Sequence, residues 1–236
     1  MGQLVVNEVF GPTIQGEGPS TGRRCGFLRL GGCNLSCRWC DTPYTWDWTG
    51  VSDTGKAFDP KAELRPMRTE DVTAQLIEMG VGLIVISGGE PLNQQTRLLP
   101  VLQGLNAVGI SVEIETNGTI TPNDALVATG ARFNVSPKLA HTSDPRNRRI
   151  VPESLRRLND TDGIAFKFVC RTAEDLAEVA QLEKEFGLRS VWIMPEGKTV
   201  FDINRHLVDL ADEIVLRGWN MSTRLHVLAW EDKRGV

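Results

Sequence analysis

The chain has 236 residues, 41% of them hydrophobic, and a formal net charge of -4; this suits one well-buried core and is short for two, so a single domain over 1–236 is expected. Its acidic and basic residues are interspersed, which argues against a nucleic-acid partner, since such proteins usually carry a basic face. The first ten residues lack the basic start and apolar run of a secretion signal, and no apolar run approaches membrane-spanning length, so no membrane partner and a cytoplasmic location are expected.

Val5 to Phe10 reads as a short strand, followed by a Gly/Pro-rich loop from Gly11 to Gly22 without helical periodicity. Gly16 and Gly18 would let backbone amides approach a flat ligand, with Gln15 and Glu17 as donors and acceptors; an ordinary connection is the equal alternative. Arg24 to Leu30 is a strand that delivers the chain to Gly31-Gly32-Cys33-Asn34-Leu35-Ser36-Cys37-Arg38-Trp39-Cys40-Asp41-Thr42. Three thiols crowded into eight residues repel one another and oxidise readily, so such a loop usually gives them to a metal. A structural zinc wants four closed ligands, whereas a cubane iron-sulfur cluster held by three thiolates leaves one iron free for an outside ligand. No fourth cysteine or histidine lies nearby in sequence, so zinc is the weaker reading. Cys25 and Cys170 fall inside strand-like runs and read as small buried hydrophobes.

From Pro43 to about Arg68 the pattern fails, and Trp46, Trp48, Gly50, Pro60 and Pro66 suggest an irregular insertion whose aromatic residues cover the metal loop or pack outside it. Thr69 reads as the N-cap of a helix that stops at Gly80. Buried strands then alternate with helices: strands at Leu83 to Ser87, Ser111 to Thr116, Arg132 to Ser136, Gly163 to Val169 and Ser190 to Met194, helices at Gln94 to Ala107, Thr172 to Phe186 and Asn204 to Ala211. Such alternation implies a parallel sheet covered by helices, open or curled into a partial barrel, with ligands at the carboxyl ends of the strands.

Sorting the strands by parity places Leu28, Leu30, Ile84, Ile86, Val112, Ile114, Phe133, Val135, Ile164, Phe166 and Phe168 toward the helices, and Arg29, Ser87, Glu113, Glu115, Asn134, Ser136 and Lys167 on the other face. Buried charges are costly unless paired or wetted. That polar stripe therefore reads as the floor of a cavity, with Arg29 and Lys167 neutralising Glu113 and Glu115. Glu115, at a strand end, could accept hydrogen bonds from the hydroxyls of a ligand or cap Asn117-Gly118. His141, His206 and His226 are scattered and read as structural, and the basic residues between Arg146 and Arg157 as a solvated face or subunit contact.

The spacing Cys-x3-Cys-x2-Cys is that of the radical S-adenosylmethionine (SAM) superfamily. Ile14-Gln15-Gly16-Glu17-Gly18, Cys40-Asp41-Thr42, Ser87-Gly88-Gly89-Glu90-Pro91, Glu115-Thr116-Asn117-Gly118, Ser136-Pro137-Lys138 and the ending Trp230 to Val236 extend the likeness over nearly the whole chain, which resembles the 7-carboxy-7-deazaguanine synthase family. The resemblance implies an α/β fold, a partial (β/α) barrel of mostly parallel strands. It implies a [4Fe-4S] cluster on Cys33, Cys37 and Cys40 whose free iron chelates SAM, giving a 5'-deoxyadenosyl radical on reduction. Further implied are SAM contacts at Trp39, Cys40, Asp41, Gly89, Ser136, Pro137 and Lys138, substrate contacts at Ile14, Gln15, Gly16, Arg29 and Ser87, and Mg2+ between Thr42 and the substrate carboxylate. Thr42 alone would read as a helix cap.

The substrate so implied is 6-carboxy-5,6,7,8-tetrahydropterin, converted to 7-carboxy-7-deazaguanine with loss of ammonia in 7-deazapurine biosynthesis; a flavodoxin or ferredoxin reductant and a homodimer are implied with it. The alternative is a radical SAM activase that makes a glycyl radical on a partner protein, sharing the cysteine spacing without needing the Gln15-Gly16-Glu17-Gly18 loop or an inward Arg29. A zinc-stabilised binding module is the third class.

Overall fold

Apolar residues at alternate strand positions force one face of a sheet toward helices, and that rule orders the computed structural model, which describes residues 2–236. Among the described residues the strands are β1 (Gln3–Ile14), β2 (Arg24–Leu30), β3 (Arg65–Arg68), β4 (Leu83–Gly88), β5 (Ser111–Thr116), β6 (Arg132–Val135), β7 (Ile164–Cys170), β8 (Val191–Pro195) and β9 (Asn220–Met221). The helices are α1 (Pro60–Glu63), α2 (Thr69–Glu78), α3 (Gln95–Ala107), α4 (Asp124–Val127), α5 (Arg146–Arg149), α6 (Pro152–Asn159), α7 (Ala173–Phe186), α8 (Val200–Leu216) and α9 (Leu225–Trp230). The strands form one sheet in the order β3-β1-β2-β4-β5-β6-β7-β8-β9. β1 runs antiparallel to β2 and β3, and the pairings from β2 through β9 are parallel. The fold is α/β, a partial barrel of mostly parallel strands. None of the helices among the described residues is long and apolar enough to cross a membrane.

The parity assignment holds strand by strand. Leu28, Leu30, Ile84, Ile86, Val112, Ile114, Phe133, Val135, Phe166 and Phe168 are buried in one apolar layer with Leu76, Leu98, Leu102, Val179 and Leu182 of the helices, and Ile164 packs at its margin. Burying each such side chain contributes about 1.5–3 kcal/mol, so the helices are held by the face that the alternation dictates. At the amino ends of the strands the inner face is plugged by Cys25, Phe27, Leu83 and Val85, which gives the polar cavity above them a dry base. α7 is the most explicitly specified helix. Thr172 Oγ1 accepts from Asp175 N while the Asp175 carboxylate accepts from Thr172 N at 3.1 Å, and Gly187 ends it in the left-handed region.

Several boundaries move. β1 continues to Ile14 because the sheet absorbs Gly11-Pro12 at a register shift and resumes with Thr13 opposite Cys25 and Ile14 opposite Arg24. The irregular segment ends earlier than expected, since Arg65–Arg68 pairs with Gln3–Val6 as an edge strand, where Pro66 needs no outward donor. The rest of that segment is ordered by Asp47, buried, whose carboxylate accepts from Gly50 N at 2.8 Å, Val51 N at 3.0 Å and Ser52 N at 2.8 Å. Thr69 is the first residue of α2 and not its cap. α8 runs from Val200 to Leu216, twice the expected Asn204 to Ala211, with Thr199 accepting from Asp202 N as its cap.

Candidate active site

β2 and β4 lie side by side, with Arg29 opposite Ser87 and Leu30 opposite Gly88, so the cysteine loop and the Gly-Gly-Glu-Pro turn leave the sheet together. Glycine is needed where they cross. A Cβ on Gly89 would lie 2.1 Å from Gly32 O, and one on Gly88, at φ +133°, would lie 2.1 Å from Leu30 O. Gly89 N donates to Leu30 O at 3.1 Å and Glu90 N to Gly32 O at 2.8 Å, so the turn clamps the start of the loop. The Glu90 carboxylate, fully buried, accepts from Leu92 N at 2.9 Å, Thr116 Oγ1 at 2.8 Å and Asn117 N at 2.7 Å. Burial pushes the Glu90 carboxyl above its ordinary value despite those donors. Glu90, and not Glu115, is thus the cap of Asn117.

Cys33, Cys37 and Cys40 line one cavity of about 300 Å3 at the carboxyl ends of the strands, together with Trp39, Asp41, Thr42, Gly89, Ser136 and Lys138. The loop is fixed from outside by Arg148 Nη2 donating to Asn34 O at 2.8 Å and by Ser36 N donating to Asp144 Oδ2 at 3.1 Å. Part of the basic segment expected to be a solvated face or subunit contact therefore braces the cysteine loop. Arg149, buried, does the same for the next wall, donating to Lys138 O at 2.7 Å and pairing with Glu178 at 2.6 Å. Donors also reach the sulfurs: Trp46 Nε1 lies 3.3 Å from Cys40 Sγ and Leu35 N 3.5 Å from Cys33 Sγ. Thr42 Oγ1 is 3.7 Å from Cys40 Sγ, and Thr42 makes no cap bond with its side chain although a 3-10 turn, Pro43–Thr45, follows it. Pro137 stands between Ser136 and Lys138, whose Nζ donates to Ser136 Oγ at 3.0 Å and lies 5.7 Å from the Trp39 ring. The Trp39 indole N–H is buried without a protein acceptor.

The far end of the cavity is lined by Ile14, Gln15, Gly16, Glu17, Arg29, Tyr44, Ser87, Glu115, Lys167, Arg224, His226 and residues 231–236. Lys167 pairs with Glu115 at 2.8 Å as expected and also with Glu17. Arg29 does not neutralise the floor. It donates to Glu8 at 3.1 Å, with its guanidinium 5.3 Å from the Phe10 ring and 5.7 Å from the Tyr44 ring. Glu113 is instead paired with Arg132 at 2.8 Å and accepts from the Ser20 hydroxyl. The reason is position: Glu113 sits two residues lower on β5, beyond Arg29's reach.

Gln15 and Glu17 spend their side chains on the protein. Gln15 Nε2 donates to Glu115 at 3.1 Å and its Oε1 accepts from Glu17 N at 3.2 Å. Glu17 is held between Lys167 and Arg224, and Arg224 also donates to Asp41 and to Gly197 O at 2.7 Å. Burial alone would raise the Glu17 carboxyl, but Lys167, Arg224 and His226 outweigh it and hold it well below the carboxylate range. Gly16 has a structural use as well, because its missing Cβ makes room for His226, whose Nδ1 would be 2.0 Å away. Burial holds the His226 imidazole below its ordinary value, against the pull of Glu17.

Sequence reading missed Arg224, Tyr44 and the lining role of His226. Arg224 lies 207 positions from Glu17, in a stretch without periodic pattern, and only the last residues of the chain carried any motif. Cys25 and Cys170 are fully buried, and neither lines the cavity.

Among the described residues no group of three or more His, Cys, Asp or Glu is close enough to hold a single metal ion. The three thiols nevertheless face one chamber; burial pushes Cys33 and Cys37 up to about 12 and raises Cys40. A buried Cys37 beside half-buried Cys33 and Cys40, with N–H donors aimed at the latter two, fits thiolates bound to a multi-iron cationic cluster, which restores the charge balance that desolvation otherwise denies. A partial barrel with three cysteines after its first parallel strand defines a class, and residues 28–195 match the radical SAM superfamily, to which the chain belongs. Membership brings a [4Fe-4S] cluster and SAM.

Over 98% of the chain and 96% of the relative it is 32% identical to 7-carboxy-7-deazaguanine synthase of Pyrobaculum aerophilum. It is also 32% identical, over 95% of the chain and 92% of the relative, to that of Hyperthermus butylicus. The crystal structure of QueE from Escherichia coli superposes with a TM-score of 0.71 at 26% identity, covering 95% of each chain. Within the superfamily, the chain belongs to the 7-carboxy-7-deazaguanine synthase family, radical SAM enzymes of deazapurine biosynthesis.

Proposed function

We propose that this chain converts 6-carboxy-5,6,7,8-tetrahydropterin to 7-carboxy-7-deazaguanine with loss of ammonia. The observation that carries the reading is the cavity itself, which brings the three cysteines together with Arg29 and the Ile14–Gly16 loop. When bound, the cluster and SAM supply a 5'-deoxyadenosyl radical. Cys33, Cys37 and Cys40 would hold the cluster, and Trp39, Cys40, Asp41, Gly89, Ser136, Pro137 and Lys138 would bind SAM beside it. Arg29 uses Nε for Glu8; among the described residues its terminal nitrogens meet no protein acceptor, which suits a planar cation waiting for the substrate carboxylate. Ile14, Gln15 and Gly16 would meet the pterin through backbone groups and apolar edge, and Ser87 through its hydroxyl. Thr42 would share Mg2+ with the substrate carboxylate and water, since one hydroxyl cannot hold that ion alone. A flavodoxin or ferredoxin as reductant, a homodimer, a single domain and a cytoplasmic setting complete the reading by family analogy.

Anaerobically reconstituted protein, given SAM, reductant and the carboxypterin, should yield 7-carboxy-7-deazaguanine and ammonia. Arg29→Ala should bind the pterin about 10- to 100-fold more weakly, the loss of a charge-assisted contact of about 1.5–3 kcal/mol, while keeping its iron and sulfide. Absence of any deazaguanine from protein that carries the full cluster would sink the assignment, and unchanged pterin affinity would remove Arg29 from it.

A further inference from the structure

β1 carries one residue too many for its ladder with β2. Val6 stands opposite Leu30, but Glu8 and not Asn7 stands opposite Arg29, and Val9 follows opposite Leu28. A bulge of this kind turns the side chains after it to the other face of the sheet. Without it Glu8 would stand opposite Leu28 and face the helices, where an unpaired carboxylate is costly. With it Glu8 lies on the cavity side against Arg29, and directly opposed residues hold their Cβ atoms about 5 Å apart. The surplus residue, Asn7, is buried and donates from its side chain to Glu63 O at 2.8 Å, so the bulge is itself held.

Each oxygen of the Glu8 carboxylate has a separate task. Oε2 accepts from Arg29 Nε at 3.1 Å, and Oε1 accepts from Arg234 Nε. Arg234 is held in turn by Glu63 at 2.9 Å. With Nε engaged, the side edge of the Arg29 guanidinium is taken, and its end edge, the two terminal nitrogens, is left for a ligand. The Phe10 and Tyr44 rings, 5.3 and 5.7 Å from the guanidinium, limit its remaining freedom. Arg29, Tyr44 and Arg234 line the cavity, whereas Glu8 is not among the residues that do. Glu8 therefore acts through its neighbours. Its negative charge alone would weaken the pull of Arg29 on an anion, and Arg234 offsets that charge at contact distance.

We propose that Glu8 is a positioning residue: it fixes Arg29 for end-on, two-point capture of the substrate's carboxylate while Arg234 holds its second oxygen. Contacts ordered in advance bind more tightly than contacts ordered on binding. This role rests on the carboxypterin reading given above, and adds to it what sets the orientation of Arg29 and why the end of the chain has to be in place.

Cluster-loaded protein with SAM but no reductant binds substrate without turnover, so affinity can be read directly. Glu8→Gln keeps the size of the side chain and removes its charge. It should bind 6-carboxy-5,6,7,8-tetrahydropterin about tenfold more weakly, and the same pterin lacking the carboxylate about twofold more weakly at most. Arg234→Gln, which leaves β1 and β2 unaltered, should show the same selectivity with a smaller loss. Melting temperature and iron content should match wild type in both variants; if Glu8→Gln fails to fold, the selectivity of Arg234→Gln decides the matter. Equal losses for the two pterins would mean that Glu8 only supports the shape of the pocket, and tighter carboxypterin binding by Glu8→Gln would mean that its charge outweighs its orienting role; either result overturns the assignment. A selective loss in Glu8→Gln with none in Arg234→Gln overturns the part given to Arg234. Wild type that binds neither pterin overturns the substrate reading itself, whereas wild type and Glu8→Gln preferring the carboxypterin to the same degree overturns the role of Glu8 alone.

Discussion

Arg224 meets Glu17, Asp41 and a backbone carbonyl with one guanidinium, and its value follows from what it leaves behind when removed. Arg224→Met takes one of two cations from the buried Glu17 carboxylate; breaking a buried pair destabilises proteins by about 3–5 kcal/mol, and the loss here is smaller because Lys167 still pairs with Glu17 and Asp41 is partly exposed and screened. The sign with pH is fixed by the lowered Glu17 carboxyl. A depressed carboxyl contributes stability above its unfolded value, about 4.3, and loses that contribution as pH falls further. The gap between wild type and Arg224→Met should therefore be widest near neutrality and shrink toward pH 3. Thermal melts that show the same gap at both ends would mean that the side chain only packs.

At the scale of elements, the turn after β4 and the cysteine loop form one unit. Gly89→Ala should drive the Cβ into Gly32 O, displace the loop and cut iron and sulfide content severalfold after anaerobic reconstitution. Gly82→Ala, where a Cβ meets nothing within 4 Å, is the control and should load normally. Equal loading of the two variants would show that the crossing tolerates a methyl group. The turn built on Asp47 has its own signature. Burial opposes its charge, yet Ser52 and the amides of Ser52, Val51 and Gly50 outweigh burial and pull its carboxyl to about 2. That difference from an ordinary aspartate is worth about 2 kcal/mol, present above pH 4 and lost between about pH 4 and pH 2. Asp47→Asn should be less stable by about that much at pH 7 and match wild type near pH 2; a constant deficit in chemical denaturation would refute the account.

Elements also show what could be read in advance. The inner and outer faces of β4 to β7 were legible because alternation is a local property of each strand, and the cysteine loop because its three ligands share eight residues. β3 was not, since Arg65-Pro66-Met67-Arg68 has neither alternation nor β-branched residues and becomes a strand only because β1 offers it an edge. The length of α8 was hidden for the opposite reason: Phe201, Val208, Val215 and Leu216 put apolar residues on its exposed side and blur the amphipathic period. In the site, Ile14 and Ser87 came from the family resemblance and Arg29 from strand parity, and the destination of Arg29 was misjudged because its partner, Glu8, lies on an antiparallel neighbour that sequence parity does not register.

For the whole molecule, the open side of the barrel is closed by the chain's last residues. Residues 231–236 line the cavity, and Arg234 joins Glu63 at 2.9 Å, Glu8, and the Tyr44 ring with its guanidinium 3.8 Å from the centroid. Deleting 231–236 leaves the sheet and the apolar layer untouched, so the melting temperature and the iron content should hold. The KM for the pterin should rise about tenfold or more, equivalent to about 1.4 kcal/mol of lost contacts. A deletion variant with unaltered KM would show that these residues do not bound the substrate end.

The two ends of that cavity are also tied to each other. One guanidinium, delivered by the segment just before α9, grips a carboxylate beside the glycine loop and another next to the third cysteine. Both loops hang from this common rivet, so an event that loosens it frees the glycine loop and the cysteine loop at once, and a disturbance at one end of the cavity can be felt at the other without any shift of the strands between.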